Sequence, residues 1–191
     1  MKHPLRIPPE TGDALVIVDL QNDFLAGGSL SVPHGDEVVP VVNAVIAEFQ
    51  AGRLPIFATR NLHPVNHCSF MAQGGPWPAH CVAGTQGADL APGLALPPHA
   101  VIISKAATAD EDAYSGFAGT ELDQRLRAAG VRRIFVGGLA TDYCVLNTVK
   151  DALSAGYEVV LMLDAIRAVE VNPGDSEQAI SEMQRLGALA I

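Results

Sequence analysis

The chain predicts a three-layer α/β fold: a central, mostly parallel sheet of about six strands with helices on both faces. Two observations predict it. Short apolar runs alternate with helix-period segments along most of the length, as in strands joined by crossover helices. The runs are also nearly continuous in apolar residues, as strands covered on both faces must be.

Residues 14–18 (Ala-Leu-Val-Ile-Val) read as a buried first strand. Over residues 36–50, Val38, Val41, Val42, Val45, Ile46 and Phe49 fall on one helical face, and Gly52 follows as the cap. Residues 54–59 give a second strand and residues 101–104 a short third. Residues 120–129 form a helix in which Thr120 and Asp123 resemble a capping box, Leu122 and Leu126 share a face, and Gly130 ends the run. A strand at 134–136 and a helix at 143–155, stopped by Gly156, come next. The chain closes with a strand at 158–163, a helix at 177–186 carrying Ile180 and Met183, and a strand at 189–191. Residues 61–99 break the pattern: Pro, Gly and His are frequent and no element emerges. A loop of that length inside a compact domain is usually functional, and this one carries His63, His67, Trp77 and His80.

Composition narrows the function class. Hydrophobic residues make up 49% and charged residues 17%, which excludes disorder, and 191 residues suit one domain, taken as 1–191. Net charge is −9 with no basic cluster, so neither nucleic acid nor an anionic membrane is expected as a partner. No apolar run approaches the roughly 20 residues of a membrane span, and Met1-Lys2-His3-Pro4 lacks the apolar stretch of a leader. Three Cys without framework spacing fit a reducing cytoplasm. The sequence leaves a homo-oligomer open.

In an open parallel sheet, ligands bind beyond the carboxyl ends of the strands. Asp19 follows the first strand, Asn61 and His63 the second, Lys105 the third, and the segment from Ala140 to Cys144 the fourth. Each has a plainer reading alone: Cys144 as packing, Asp19 as a turn residue, Lys105 as a solvated cation. Together they offer a nucleophile, a base and a cation, the parts of acyl transfer through a thioester. Cys144 stands at an apparent helix start, where backbone N–H groups and the dipole favour thiolate. The small residues before it, Gly137-Gly138-Leu139-Ala140, leave turning N–H groups free to form an oxyanion hole. Asp142 is placed to cap that helix. His63 and His67 stand four residues apart with His80 downstream, a spacing that suits either a metal or a set of structural histidines. Cys68 and Cys81, each after a His, are alternative thiolate ligands for a structural zinc. Phe24, Trp77 and Tyr114 are the aromatic candidates for a slot that takes a flat heteroaromatic ring.

Four segments carry a resemblance: Val-Asp-Leu-Gln-Asn-Asp-Phe (18–24), Trp-Pro-Ala-His-Cys (77–81), Ser-Lys (104–105) followed by Asp-Ala-Tyr-Ser-Gly-Phe (112–117), and Gly-Leu-Ala-Thr-Asp-Tyr-Cys-Val (138–145). In combination and order they resemble the nicotinamidase/pyrazinamidase branch of the isochorismatase-like cysteine hydrolases, over about residues 14–165. The resemblance implies a Rossmann-like sheet and a triad of Asp19, Lys105 and Cys144. It also implies a cis peptide bond between Leu139 and Ala140, and an oxyanion hole from the N–H groups of Ala140 and Cys144. It implies one divalent metal, zinc first with iron or manganese as alternatives, on an Asp and three His. His63, His67 and His80 match those positions, while Asn61 stands where the branch usually has Asp. A neutral amide brings no charge, so metal affinity should fall or metal choice shift.

The implied reaction is hydrolysis of nicotinamide to nicotinate and ammonia, with the metal holding the pyridine nitrogen. Two other readings stand beside it. One is a metal-free amidase or ureido-hydrolase of the same superfamily; the other is a catalytically silent ligand-binding protein, with Asn61 as its sign of decay. A redox role for Cys144 lacks a second Cys close in sequence.

Overall fold

A computed structural model of the chain describes Leu5 and residues 7–191. The segment of residues 1–4, from which the absence of a leader was read, lies outside the described residues. Six strands form one sheet: β1 (Asp13–Val18), β2 (Ile56–Asn61), β3 (Val101–Lys105), β4 (Arg133–Leu139), β5 (Glu158–Arg167) and β6 (Leu189–Ala190). Their order is β3-β2-β1-β4-β5-β6 and every pairing is parallel, so the expected α/β sheet is present. The helices are α1 (Val38–Ala51), α2 (Leu122–Ala128), α3 (Leu146–Ser154) and α4 (Asp175–Arg185).

Alternation along β1 shows how the layers form. Leu15 and Ile17 pack with Val42, Ile46 and Phe49 of α1 on one face. Ala14, Val16 and Val18 pack with Leu122 and Leu126 of α2, Val149 of α3 and Met183 of α4 on the other. All of β1 is therefore buried, which explains why it reads as an unbroken apolar run. At its amino end, Arg133 clamps the register partner Asp13 with two hydrogen bonds, Nε to Oδ1 at 2.9 Å and Nη2 to Oδ2 at 2.6 Å.

Element ends depart from the sequence reading for physical reasons. α1 tolerates Pro40 because its ring falls in the first turn, where the N–H has no helical partner. The left-handed residue that ends α1 is Arg53 (φ 54°), while Gly52 stays right-handed. The expected capping box of α2 is half formed. Thr120 Oγ1 accepts the Leu122 N–H at 3.2 Å, but Asp123 turns to Arg127 (3.0 Å) and the Tyr157 hydroxyl (2.8 Å).

β4 runs three residues beyond 134–136, because Gly137 and Gly138 pair with Ile17 and Val18 instead of turning. Gly138 has φ 127°, and a Cβ there would collide with the backbone of Val18. Of residues 61–99 only Asn61, the end of β2, lies in a strand, and none lies in an α-helix. Short turns and isolated bridges organise them, His63 with Val82, Phe70 with Trp77 and Gln21 with Leu90. Among the described residues no helix is long and apolar enough to cross a membrane.

Gly138→Ala should lower unfolding free energy by at least about 2 kcal/mol, from positive φ and steric overlap together. Urea melts of variant and wild type measure it, and equal midpoints would contradict the close approach of β4 to β1.

Candidate active site

Four strand ends converge at the carboxyl edge of the sheet. Asp19 follows β1, Asn61 ends β2, Lys105 ends β3, and the turn after β4 carries Cys144. β1 and β4 flank the point where strand order reverses, the place at which an open parallel sheet leaves a crevice. Asn61 and Lys105 are register partners, so their side chains rise together.

Asp19 and Lys105 form an ion pair, Nζ to Oδ2 at 2.9 Å, with both side chains at zero exposure. Asp19 is left-handed (φ 48°), and its N–H donates to the Thr59 carbonyl at 3.2 Å. Its second oxygen accepts the Thr59 hydroxyl at 2.6 Å, while Asn61 Nδ2 donates to Oδ2 at 3.2 Å. The Lys105 ammonium also donates to Asn61 Oδ1 (2.6 Å), the Ala113 carbonyl (2.9 Å) and the Cys144 sulfur (3.5 Å). Burial alone would lower the Lys105 pKa, but Asp19 and Cys144 beside it outweigh that and raise it. The expected trio is thus one hydrogen-bonded group.

Leu139–Ala140 is cis, followed by a single π-helical turn at Thr141–Val145 that leads into α3. Cys144 lies inside that turn, not at an exposed helix start, and is 7% exposed. Burial pushes its thiol pKa up; Lys105 opposes this and Asp19 adds to it. Desolvation thus works against the thiolate that a helix start alone would favour. Asp142 does not cap the helix. Its carboxylate accepts the Val169 and Glu170 N–H groups at 3.0 and 2.8 Å and holds the loop after β5 against the site.

The slot above Cys144 is lined by the aromatic candidates Phe24, Trp77 and Tyr114 and also by Val32, Tyr143 and Val169. Trp77 Nε1 donates to the Tyr114 hydroxyl at 3.0 Å, and Tyr143 meets the Trp77 ring edge-on at 5.1 Å. Ala140 and Cys144 line it too. Sequence reasoning missed Tyr143, Thr59 and Gln21. No sequence pattern marked them; burial does for two, since Thr59 within β2 and Gln21 after β1 are polar residues at zero exposure.

His63, His67 and His80 cluster at the slot's far side, with ring centres 4.0 Å apart for His63–His67 and 4.9 Å for His63–His80. Asp23 brings His80 in by accepting the Cys81 N–H at 2.7 Å. His63 Nδ1 contacts the Ala106 carbonyl at 3.1 Å and His80 Nδ1 the Pro78 carbonyl at 2.8 Å. A carbonyl only accepts, so each Nδ1 carries the hydrogen and each Nε2 keeps its lone pair. Burial, with His67 and His80 adding to it, pushes the His63 pKa down to about 3, and burial also lowers that of His80. Neutral imidazoles with Nδ1 tied to carbonyls are the usual form of metal-ligating histidine.

His67 differs. Its Nε2 faces the Glu111 carbonyl at 3.1 Å, and its Nδ1 takes the Ser69 hydroxyl at 2.7 Å, so neither nitrogen is free. Asn61 Oδ1 is held by Lys105. The donors present fit a divalent ion through His63 and His80, while His67 and Asn61 hold other partners. Among the described residues no group of three or more His, Cys, Asp or Glu is arranged to hold a metal. Cys81 is buried, and burial raises its thiol pKa, which weighs against a thiolate zinc site.

The isochorismatase domain model matches residues 13–191. A relative from Escherichia coli (strain K12), named nicotinamidase, is 40% identical over 95% of this chain and 94% of its own. The pyrazinamidase of Pyrococcus horikoshii, solved in complex with zinc, superposes with a TM-score of 0.91 at 48% identity, covering 94% of this chain and 98% of that one. A protein from L. infantum, solved with nicotinate, gives a TM-score of 0.88 at 39% identity, covering 95% and 92%.

A raised thiol pKa fixes the sign of one experiment. Because the folded value lies above the ordinary 9.0, thiolate grows about tenfold per pH unit through and beyond neutrality. Iodoacetamide alkylation of Cys144 in the free protein should therefore climb without a plateau between pH 6 and about pH 9. A plateau near neutrality would indicate a preformed thiolate.

Proposed function

The chain belongs to the isochorismatase family, and on that premise we propose that it is a cysteine amidohydrolase converting nicotinamide to nicotinate and ammonia. The observation that carries this reading is the buried contact of Lys105 with both Asp19 (2.9 Å) and the Cys144 sulfur (3.5 Å) under an aromatic slot. The named relatives, and the neighbour holding nicotinate, support the substrate class.

The ring enters between Trp77, Tyr114, Tyr143 and Phe24 with its carboxamide toward Cys144. Asp19 takes the thiol proton, and the Lys105 ammonium, already beside the sulfur, stabilises the thiolate as it forms. The thiolate attacks the carboxamide carbon, and the N–H groups of Ala140 and Cys144 receive the oxyanion. Asp19 then gives its proton to the departing nitrogen, so ammonia leaves and a thioester remains. Asp19 next removes a proton from water, which attacks the thioester, releases nicotinate and returns the thiol. Throughout, the Thr59 hydroxyl holds the Asp19 carboxylate in place. A divalent metal such as zinc, held by His63 and His80, would supply an anchor for the pyridine nitrogen. Orientation of this kind is itself a large source of rate.

A second reading, a metal-free amidase on the same triad, is favoured by one observation: His67 and Asn61 are engaged elsewhere. Both readings keep Cys144 as nucleophile.

Purified protein given nicotinamide should release stoichiometric ammonia and nicotinate, and Cys144→Ala should lower kcat/KM at least about 10,000-fold. No ammonia under conditions where an established nicotinamidase works would end the substrate claim, and full activity in the variant would end the thioester route. Stripping the protein with a chelator should raise KM about tenfold or more, with recovery on adding zinc. Unchanged constants in a sample free of metal by elemental analysis would select the second reading.

A further inference from the structure

We propose that Asn61 is a positioning residue of the triad, whose amide bridges Asp19 and Lys105, and that it is not a metal ligand. The orientation of the amide follows from its neighbours. An ammonium only donates and a carboxylate only accepts. The oxygen must therefore face Lys105, at 2.6 Å, and the nitrogen must face Asp19, at 3.2 Å. The dipole lies along the ion pair and satisfies both charges where water is excluded.

The backbone beneath Asn61 is fixed as firmly. Gln21, fully buried, accepts the Asn61 N–H at 2.8 Å and returns its own amide to the Asn61 carbonyl at 2.8 Å. Its amide also donates to the Ala88 carbonyl at 2.9 Å. The two hydrogen bonds to Asn61 from the loop after β1 lock the backbone at the end of β2, from which the Asn61 side chain reaches Asp19 and Lys105.

Charge argues in the same direction. A divalent ion on Asn61 Oδ1 would share that oxygen with the Lys105 ammonium, and two cations on one neutral carbonyl repel at close range. Lys105 has three protons and four neighbours: Asp19, Asn61, Ala113 and, longest, the Cys144 sulfur. Asn61 thus helps set how the ammonium is shared between the base and the nucleophile.

The test compares wild type, Asn61→Ala and His63→Ala by bound metal per chain, kcat and KM for nicotinamide, and the Cys144 alkylation rate at one pH. Asn61→Ala should retain the wild-type metal content, lose at least tenfold in kcat, and keep KM within threefold. A loss in kcat smaller than tenfold, or a joint fall in metal content and rise in KM like that of His63→Ala, would overturn the proposal. If Asn61→Ala does not fold, Asn61→Ser, whose short hydroxyl cannot span both partners, is read by the same criteria. Only the kinetic arm rests on the nicotinamide reading. Should wild type release no ammonia, that reading fails alone, and alkylation decides: a change of threefold or more in Asn61→Ala supports the bridge, and a smaller one overturns it.

Discussion

Two opposite charges, Asp19 and Lys105, meet 2.9 Å apart with no access to water, and the arrangement around them follows from that fact. Removing solvent from an ion pair costs several kcal/mol, and leaving one member alone costs about 3–5 kcal/mol. The pair survives only where every remaining lone pair and proton finds a partner. Those partners come from separate parts of the chain: the Thr59 hydroxyl and Asn61 amide from β2, and the Ala113 carbonyl from the loop after β3. Parallel pairing is what delivers them, since it brings the carboxyl ends of β1, β2 and β3 to the same height. The sheet thus serves as a register gauge for the charges, and the Asp13–Arg133 clamp at its opposite end fixes β1 against β4.

Most of that frame was legible in the sequence. Strands buried on both faces have to be written as apolar runs, and the helices between them carry one apolar stripe each. Asp19 and Lys105 could be found because each directly follows such a run, and Cys144 because the turn that carries it does. The missed features depend on partners remote in sequence. Gly137 and Gly138 look like a turn until β1 is present to pair with them. Asp142 looks like a helix cap, yet its partners, the N–H groups of Val169 and Glu170, belong to a loop across the site. Thr59 and Gln21 had no local pattern at all; only burial of a polar side chain marks them. Desolvation of Cys144 was hidden for a related reason, because a helix dipole is a local property and burial belongs to the whole fold.

The histidine cluster sharpens the contrast between resemblance and geometry. The resemblance places Asn61, His63, His67 and His80 in one set, with Asn61 as its departure. Their hydrogen bonds divide them: His63 and His80 keep a free nitrogen, His67 is tied to Ser69 and Glu111, and Asn61 belongs to the ion pair. With an amide at the end of β2, the hydrogen bonds of this side chain run to the ion pair and not to the histidines.

The hydrogen bond from Lys105 to the Ala113 carbonyl has a consequence for how such an enzyme diverges. Tyr114, a wall of the slot, is the next residue along, so the loop that walls the slot and the buried ion pair share one anchor point. Insertions or deletions around residue 113 would disturb both at once, whereas exchange of the Tyr114 or Trp77 side chain alters the wall and leaves the anchor in place. New substrates on this scaffold are accordingly reached by substitution of aromatic side chains more readily than by rebuilding the loop that carries them.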